Sequence, residues 1–286
     1  MLKQAIADYY GLKDSQIFLG NGSDEILAHV FNGLLKKALP LLFPDITYSF
    51  YPVFCQLYDI DFEEIPLKDD LSIDLTDYEV PNGGIIFPNP NAPTGRLLAI
   101  GEIEYLLKAN RNSVVVIDEA YIDFSIEDSW LARLDEFPNV IVTQTLSKAY
   151  GLAGIRLGIC YASEEIISIL NKIKPPYNVN QLTQDVALKA LLNTGEVNNQ
   201  ITAITSERNQ LIKDLEKLDV VDKVYVSDAN FLLVKVDNAT LRYNQLLNKG
   251  IVVRNRSNQM LCENCLRFTI GTKDENKKLI TALKFI

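Results

Sequence analysis

The stretch Val140–Arg156 has the sequence VIVTQTLSKAYGLAGIR, in which an apolar run is followed by small, hydroxyl and basic residues. The apolar run Val140–Gln144 predicts a strand covered on both faces, as in a parallel sheet. Open α/β sheets bind their ligands in loops at the carboxyl ends of such strands. Lys148 in this loop is a candidate amine nucleophile. A solvated lysine in a turn is the alternative that this segment alone leaves open.

Outward from this segment, short apolar runs alternate with helical patterns from Gly11 to about Ala162. Such alternation predicts an α/β fold, with a mainly parallel sheet between two layers of helices. The predicted strands are Gln16–Leu19, Leu39–Phe43, Phe62–Pro66, Gly84–Phe87, Val114–Ile117, Val140–Gln144 and Leu157–Tyr161. The predicted helices are Ser23–Leu39, Tyr48–Tyr58, Glu102–Ala109 and Glu164–Lys172.

A smaller α+β domain is predicted at the C-terminal end. The stretch Lys174–Tyr177 contains two prolines and interrupts the helical periodicity, so we expect a domain connection near it. We predict a large domain over residues 1–175, connecting helices over 176–218 and a small domain over 219–286. The elements predicted beyond Tyr177 are helices Gln181–Leu192, Thr202–Leu218, Thr240–Lys249 and Lys273–Phe285, and strands Val224–Val226, Phe231–Val236, Ile251–Arg254 and Leu266–Ile270.

Composition narrows the possible partners. The chain has 286 residues and a formal charge of −9, from 28 Lys+Arg and 37 Asp+Glu. A negative overall field disfavours nucleic acids and anionic membrane surfaces as main partners. The start, Met1–Tyr10, resembles no export signal, and no apolar run approaches the ~18 residues of a membrane span. Four cysteines form no disulfide framework, so we expect a cytoplasmic protein with reduced thiols.

A second segment, Val114–Tyr121 (VVVIDEAY), places Asp118 at the end of an apolar strand. A carboxylate there can pair with a ligand cation, such as a protonated pyridine nitrogen, and Tyr121 can donate to a ring oxygen. The alternatives are a helix cap or a metal ligand beside a phosphate-binding loop. The metal reading requires a GxxxxGK[ST] loop, which the sequence lacks. We therefore expect no metal.

Two Gly- or Pro-rich turns complete the pattern. Gly20–Glu25 (GNGSDE) leads from a strand into a helix, where backbone amides form an anion site. It fails as a dinucleotide fingerprint because Glu25 stands at the third glycine. Ser23 as a plain helix cap stays open, and the Asp24 side chain is expected to point away from a bound phosphate. Asn89–Gly95 (NPNAPTG) is a rigid turn after a strand.

Together, GNGSDE, NPNAPTG, VVIDEAYIDF and TLSKAYGLAGIRLG closely resemble the histidinol-phosphate aminotransferase family. That family is a branch of the fold-type-I aminotransferases, which use pyridoxal 5′-phosphate. The resemblance spans nearly the whole chain. It implies that Lys148 is the Schiff-base lysine and that Asp118 pairs with the pyridine nitrogen. It further implies that Tyr121 and Asn91 contact the ring 3′ oxygen, although relatives usually have NPNNPTG where this chain has Ala92.

The resemblance also implies residues for phosphate and substrate. The implied phosphate cup consists of Ser23 and Asp24 through their amides, with Thr145, Ser147 and Arg156. Tyr48 corresponds to the aromatic residue that stacks on the cofactor ring. Arg267 corresponds to the arginine that binds the substrate carboxylate, and Arg254 is a second candidate contact for a substrate anion. Two exposed arginines at strand ends are the alternative for that pair.

The implied reaction transfers an amino group between histidinol phosphate and 2-oxoglutarate in histidine biosynthesis. Its partners are a small amino donor and a 2-oxo acid, and the implied assembly is a homodimer. Family members carry an N-terminal segment that covers the active site, and the resemblance begins after it. An aromatic or broad-range aminotransferase, a threonine-phosphate decarboxylase and a noncatalytic cofactor-binding paralogue stay open. Cys262 and Cys265 form a CxxC pair that we expect to be inert thiols.

Overall fold

The larger sheet of the computed structural model, which describes residues 1–285, has seven strands in the order β1-β7-β6-β5-β4-β2-β3. Strands β2 to β6 are parallel, and β7 runs antiparallel to both β6 and β1. Apolar side chains fill both faces of the central strands, which is why they lack an alternating pattern. The strands are β1 Ile17–Gly20, β2 Leu41–Pro44, β3 Phe62–Ile65, β4 Gly84–Pro88, β5 Val115–Asp118, β6 Val140–Thr145 and β7 Gly158–Ala162.

Helices cover this sheet on both sides and bury two apolar cores. One core includes Leu2 and Ile6 of the first helix, and the other includes Ile26 and Phe31. These helices are α1 Leu2–Tyr10, α2 Ser23–Val30, α3 Tyr51–Tyr58, α4 Ile100–Ala109, α5 Glu164–Ile173 and α6 Gln181–Leu192. The α/β class and the mainly parallel sheet predicted from sequence are confirmed.

The C-terminal part forms a second sheet of four strands in the order β10-β11-β9-β8, all antiparallel. Its strands are β8 Val221–Val224, β9 Phe231–Val236, β10 Arg254–Asn255 and β11 Cys265–Thr269. Its helices are α7 Thr194–Leu215, α8 Ala239–Asn248 and α9 Lys273–Lys284. A separate core lies between these helices and one face of the sheet.

The two connecting helices pack on different cores. Ala187 and Leu191 of α6 are buried with α1 in the core of the large sheet. Leu211 and Leu215 of α7 are buried in the core of the small sheet. The region 176–218 therefore joins the two cores, and the domain boundaries themselves stay a prediction.

Several helices and strands begin or end at other residues than the sequence predicted. The helix predicted over Ser23–Leu39 ends at Val30 and continues as a π-helical turn to Leu35, after which Lys36 is extended. The residue before Pro40 is disfavoured in a helix, and this favours an early end. The predicted strand Ile251–Arg254 is wrong, because only Arg254–Asn255 pairs. The strand expected at Val224–Val226 lies at Val221–Val224, α3 begins at Tyr51 and α7 begins at Thr194.

Among residues 1–285, no helix is both long and apolar enough to cross a membrane.

Candidate active site

A cavity of about 210 Å³ lies at the carboxyl edge of the large sheet. Pro88, Asp118 and Thr145, the last residues of β4, β5 and β6, line it together. The parallel register brings these strand ends to one edge, so residues distant in sequence meet there. Of the predicted site residues, the cavity is lined by Ser23, Asp24, Tyr48, Asp118, Tyr121, Thr145, Ser147, Lys148 and Arg156.

Asp118 is buried at the cavity and has neutral hydrogen-bond donors on both carboxylate oxygens. The Tyr51 hydroxyl donates to Oδ2 at 3.3 Å, and the Thr143 hydroxyl donates to Oδ1 at 3.1 Å. Burial raises the pKa of Asp118 to about 6, although these two hydrogen bonds act in the opposite direction. Among residues 1–285 it forms no ion pair, so this buried carboxylate is suited to pair with a ligand cation.

Lys148 follows β6 and projects its amine into the cavity near an aromatic face. Its Nζ lies 5.3 Å from the ring centroid of Tyr121, which follows β5. Tyr121 also packs edge-on against Phe231 of the small sheet. The cavity thus has a carboxylate, an amine and a phenol along its walls.

The N-terminus of α2 forms a second polar wall. Its cap residue Gly22 has φ +88° and offers no side chain, so the first helix amides keep their hydrogen-bonding capacity for a ligand. A Cβ on Gly158 would lie 2.5 Å from the Ser23 nitrogen, and one on Gly22 would lie 2.4 Å from Arg156 Nη2. Only glycine therefore lets β7 and Arg156 approach this turn so closely. The amides, the helix dipole and the guanidinium together favour an anion.

Two hydroxyls continue this anion-binding surface. The Thr145 hydroxyl donates to Ser147 Oγ at 2.9 Å and accepts from the Ser147 backbone N–H at 3.1 Å. This turn holds both side chains at the end of β6, directly before Lys148. In this pair the Ser147 hydroxyl is the acceptor, so its own O–H can donate to a ligand oxygen.

The Asp24 side chain differs from our expectation. It was predicted to point away from the anion site, but it lines the cavity. Its Oδ1 accepts a hydrogen bond from the Tyr48 hydroxyl at 3.0 Å, and its Oδ2 lies 3.5 Å from Arg156 Nη2. The reason is that α2 turns its first side chains toward the arginine, which attracts the carboxylate. Both charged groups are about half exposed, so this pair is weak and Arg156 can turn to a ligand.

The side chain of Asn91 also differs in position from what the family resemblance implied. Its amide donates to the Ile46 carbonyl at 2.8 Å and to Thr94 Oγ1 at 3.0 Å, and its Oδ1 accepts from the Thr47 hydroxyl at 3.1 Å. These bonds use the side chain within the turn, and the adjacent Ala92 lines the cavity instead. The contact of Asn91 with a ring oxygen is therefore not supported by its position.

Arg254 and Arg267 lie on the small sheet, opposite each other across β10 and β11. The Arg267 guanidinium lies over the ring of Phe231, with Cζ 4.8 Å from its centroid. Phe231 in turn contacts Tyr121, with centroids 5.1 Å apart. The arginine pair therefore lies next to the cavity, on the side of Tyr121, rather than in its wall.

Sequence reasoning missed Tyr51, Thr143 and Arg256. Thr143 pairs with Asp118 in the register of β5 and β6, and no single-sequence signal gives that register. Tyr51 reaches Asp118 from the buried face of α3. Arg256 is two residues from Arg254 and was visible in the sequence, but the predicted strand ended before it.

The fold and this site define an α/β enzyme whose cavity suits a phosphorylated, positively charged ring beside a lysine. The aminotransferase class I and II family matches residues 1–283, and the chain belongs to this family.

Similar proteins share almost the whole of this chain. Histidinol-phosphate aminotransferase of Christiangramia forsetii is 51% identical over 99% of this chain and 82% of that relative. The enzyme of the same name from Flavobacterium johnsoniae is 50% identical over 100% of this chain and 83% of its own. The crystal structure of histidinol-phosphate aminotransferase from Clostridium acetobutylicum matches with a TM-score of 0.91, at 26% identity over 99% of this chain and 87% of that chain.

Enzymes of this family depend on pyridoxal 5′-phosphate, and the residues present fit this group. The uncapped amides of α2, with Arg156, suit its phosphate. The buried Asp118, which accepts hydrogen bonds from the neutral hydroxyls of Tyr51 and Thr143, suits its protonated nitrogen. Lys148 offers the amine that its aldehyde requires.

The CxxC pair is not part of this cavity. Cys262 and Cys265 are free and fully buried in a small apolar cluster with Tyr225 and Leu233. Within residues 1–285, no group of three or more His, Cys, Asp or Glu side chains is arranged to hold a metal ion. The pair therefore contributes to packing in this region.

The hydroxyl of Tyr51 gives a first prediction. Replacing Tyr51 by phenylalanine removes a hydrogen bond to the ionised form of Asp118, so the pKa of Asp118 should rise further above its ordinary value. The acid limb of the kcat/KM profile should move to higher pH, by about half to one pH unit for a bond of about 1 kcal/mol.

Tyr78→Phe is the matched control. Tyr78 is fully buried, and its hydroxyl has no hydrogen-bond partner within the described chain. Its removal should leave the pH profile unchanged. An unchanged profile in Tyr51→Phe as well would show that this hydroxyl does not tune Asp118.

Proposed function

We propose that this protein transfers an amino group from histidinol phosphate to 2-oxoglutarate, with pyridoxal 5′-phosphate as cofactor. The single observation that carries the reaction type is the cavity in which Lys148, Asp118 and the start of α2 meet. The histidinol-phosphate aminotransferases at 51% and 50% identity support the choice of substrate.

Cofactor binding rests on charge pairing at two ends of the cavity. Arg156, the hydroxyls of Thr145 and Ser147, and the amides of Ser23 and Asp24 bind the phosphate. At the other end, Asp118 holds a proton on the ring nitrogen through a charge-assisted hydrogen bond. Because Asp118 is buried, its attraction to that cation is little screened by water.

Lys148 is the base of the reaction. Its Nζ takes the proton from the substrate carbon that bears the amino group and later delivers it. Bound pyridoxal 5′-phosphate supplies an aldehyde that takes up the amino group and a protonated ring that withdraws electrons from the breaking C–H bond. The ring centroid of Tyr121 lies 5.3 Å from Nζ, so Tyr121 supports the lysine. Its hydroxyl donates to the ring oxygen of the cofactor. Tyr48 lines the same cavity and would pack against the ring of the cofactor.

Arg267 and Arg254 bind the anionic end of each substrate. Histidinol phosphate carries a phosphate monoester, and 2-oxoglutarate carries carboxylates, so one basic subsite serves both halves of the reaction. Arg267 is held over Phe231, which keeps its fork on the side of Tyr121. A substrate anion bound there would direct the amino-bearing carbon toward Lys148.

A donor panel tests the substrate. The purified protein, loaded with cofactor and supplied with 2-oxoglutarate, is assayed for glutamate with histidinol phosphate, histidinol and phenylalanine as donors. We expect kcat/KM for histidinol phosphate to exceed that for histidinol by about 100-fold or more, because each charge-assisted bond to phosphate contributes about 1.5–3 kcal/mol.

Three results would contradict the proposal. Equal kcat/KM for phenylalanine and histidinol phosphate would indicate a broad-range aminotransferase. Carbon dioxide release from threonine phosphate, without glutamate formation, would indicate a decarboxylase. A bound cofactor with no turnover of any donor would indicate a noncatalytic paralogue.

We propose a homodimer as the active form, acting in the cytoplasm. Phe50, the residue before α3, and Val53 and Leu57 within α3 are exposed at helical spacing, and the Phe50 ring centroid lies 6.4 Å from that of Tyr48 in the cavity wall. An exposed apolar stripe of this kind supports burial against a second copy of the chain. The four cysteines are free and buried, which supports a reducing compartment.

A further inference from the structure

Three arginines of the small sheet face one side. Arg254 and Arg267 are direct cross-strand partners. Arg256 lies two residues beyond Arg254, and its backbone N–H donates to the Cys265 carbonyl at 2.9 Å. Because side chains alternate along a strand, Arg254, Arg256 and Arg267 share a face of this sheet. Like charges placed directly opposite each other destabilise a sheet.

No acidic side chain offsets this charge. Within residues 1–285, none of the ion pairs involves these three arginines. The Nε atoms of both Arg256 and Arg267 are buried and lack a hydrogen-bond partner there. Burial, together with Arg267 and Arg254, lowers the pKa of Arg256. An unpaired buried donor costs free energy, so this arrangement calls for an anion that accepts from it.

The same face leads directly to the reacting lysine. Phe231 of β9 contacts the Arg267 guanidinium on one side and the Tyr121 ring on the other, at 4.8 and 5.1 Å. Tyr121 lies 5.3 Å from Lys148 Nζ. An anion held by the three guanidinium groups would therefore lie on the side of the cavity where Tyr121 and Lys148 meet.

We infer that Arg256 is a specificity-determining residue, the third guanidinium of a subsite for a phosphate monoester dianion on the amino donor. This inference rests on the proposed function and adds a residue that neither the sequence motifs nor the strand prediction indicated. One bidentate guanidinium satisfies the two oxygens of a carboxylate. A phosphate monoester has three terminal oxygens and nearly two charges at neutral pH, so it uses a further fork.

Binding of two unreactive anions tests this directly. The cofactor-loaded protein is titrated by calorimetry with n-propyl phosphate and with butyrate, which differ in charge at similar length. In Arg256→Gln we expect the affinity for n-propyl phosphate to fall by about 10- to 100-fold and that for butyrate by less than about threefold. Arg256→Lys keeps the charge but not the fork, and its loss should be intermediate.

Arg111→Gln is the matched control. Arg111 is exposed before β5, at the opposite edge of the sheet from Asp118, and its replacement changes net charge equally. It should leave both affinities unchanged. The thermal midpoint of each variant verifies that it is folded.

The outcomes separate this inference from the proposed function. Equal losses for phosphate and butyrate in Arg256→Gln, or no loss for either, would overturn the role of Arg256. A third outcome concerns the substrate alone. If the wild-type protein does not use histidinol phosphate, but the Arg256→Gln variant binds n-propyl phosphate more weakly than the wild type, the proposed substrate is wrong and the phosphate subsite stands. If Arg256→Lys binds n-propyl phosphate as tightly as the wild type, only the charge of residue 256 matters, and the inference of a third guanidinium fork fails.

Discussion

Replacing Lys148 by alanine is expected to abolish transamination, with a fall in rate of about 10⁴-fold or more. In the proposed reaction Lys148 both binds the cofactor covalently and moves the proton, so its loss removes two functions at once, and such losses are large. The fold should persist, because Lys148 is an exposed residue and its truncation leaves no cavity in either core. Changes at such positions usually shift stability by less than about 0.5 kcal/mol.

The attachment itself can be measured independently of activity. Borohydride reduction of the cofactor-loaded protein should fix pyridoxal phosphate on a peptide that contains Lys148, and mass spectrometry locates the added mass. Lys148→Ala should carry no label. Lys213→Ala, which removes an exposed lysine from α7, should be labelled and active like the wild type.

A label on another lysine, or residual turnover near the wild-type rate in Lys148→Ala, would refute the assignment of this residue. Purified Lys148→Ala should still bind the cofactor noncovalently, since the phosphate and ring contacts come from other residues. Dialysis should then remove the cofactor faster than from the wild type.

Much of the cavity lining could be predicted from the sequence, because its charged and hydroxyl side chains directly follow apolar strands in the chain. Asp118, Thr145 and Lys148 stand at or just beyond the ends of β5 and β6, and parallel strands bring such ends together. The glycines of GNGSDE marked the start of α2 for a similar local reason, since Gly22 has a positive φ. Local signals were sufficient at these positions.

Other parts of the site depend on tertiary register and were not predictable in this way. The backbone conformation of the NPNAPTG turn decides whether Asn91 or Ala92 faces the cavity. A small rotation of the turn would bring the other of these adjacent residues to the cavity. The proximity of Arg256 to Arg267 follows only from the pairing of the short β10 with β11. The hydroxyls that contact Asp118 come from α3 and β6, whose packing no periodicity encodes.

Replacing Asp118 by asparagine is the second change with a large expected effect. Asparagine has the same shape but no negative charge, so it does not stabilise the protonated form of the ring nitrogen as the carboxylate does. Removing one preorganised electrostatic contact of this kind typically costs about 10²- to 10³-fold in kcat. We expect a loss of that size at pH 7 to 8, with Asp118→Glu less impaired because it keeps the charge.

Stability without cofactor should change in the opposite direction, and this separates a functional carboxylate from a structural one. Because burial raises the pKa of Asp118 to about 6, the folded protein binds this proton more tightly than the unfolded chain, whose aspartate has a pKa of 3.8. Its contribution to the free energy of unfolding is therefore lost as the pH rises from about 4 to 6. The free energy of unfolding of cofactor-free Asp118→Asn should exceed that of the wild type by up to about 2–3 kcal/mol at pH 8, and by little at pH 4.

Added pyridoxal 5′-phosphate should reverse this order of stability at pH 8, since its ring cation favours the ionised carboxylate. If denaturant titrations show the wild type more stable than Asp118→Asn at pH 8 without cofactor, the carboxylate is satisfied by the protein alone, and its role as the partner of a ligand cation is wrong.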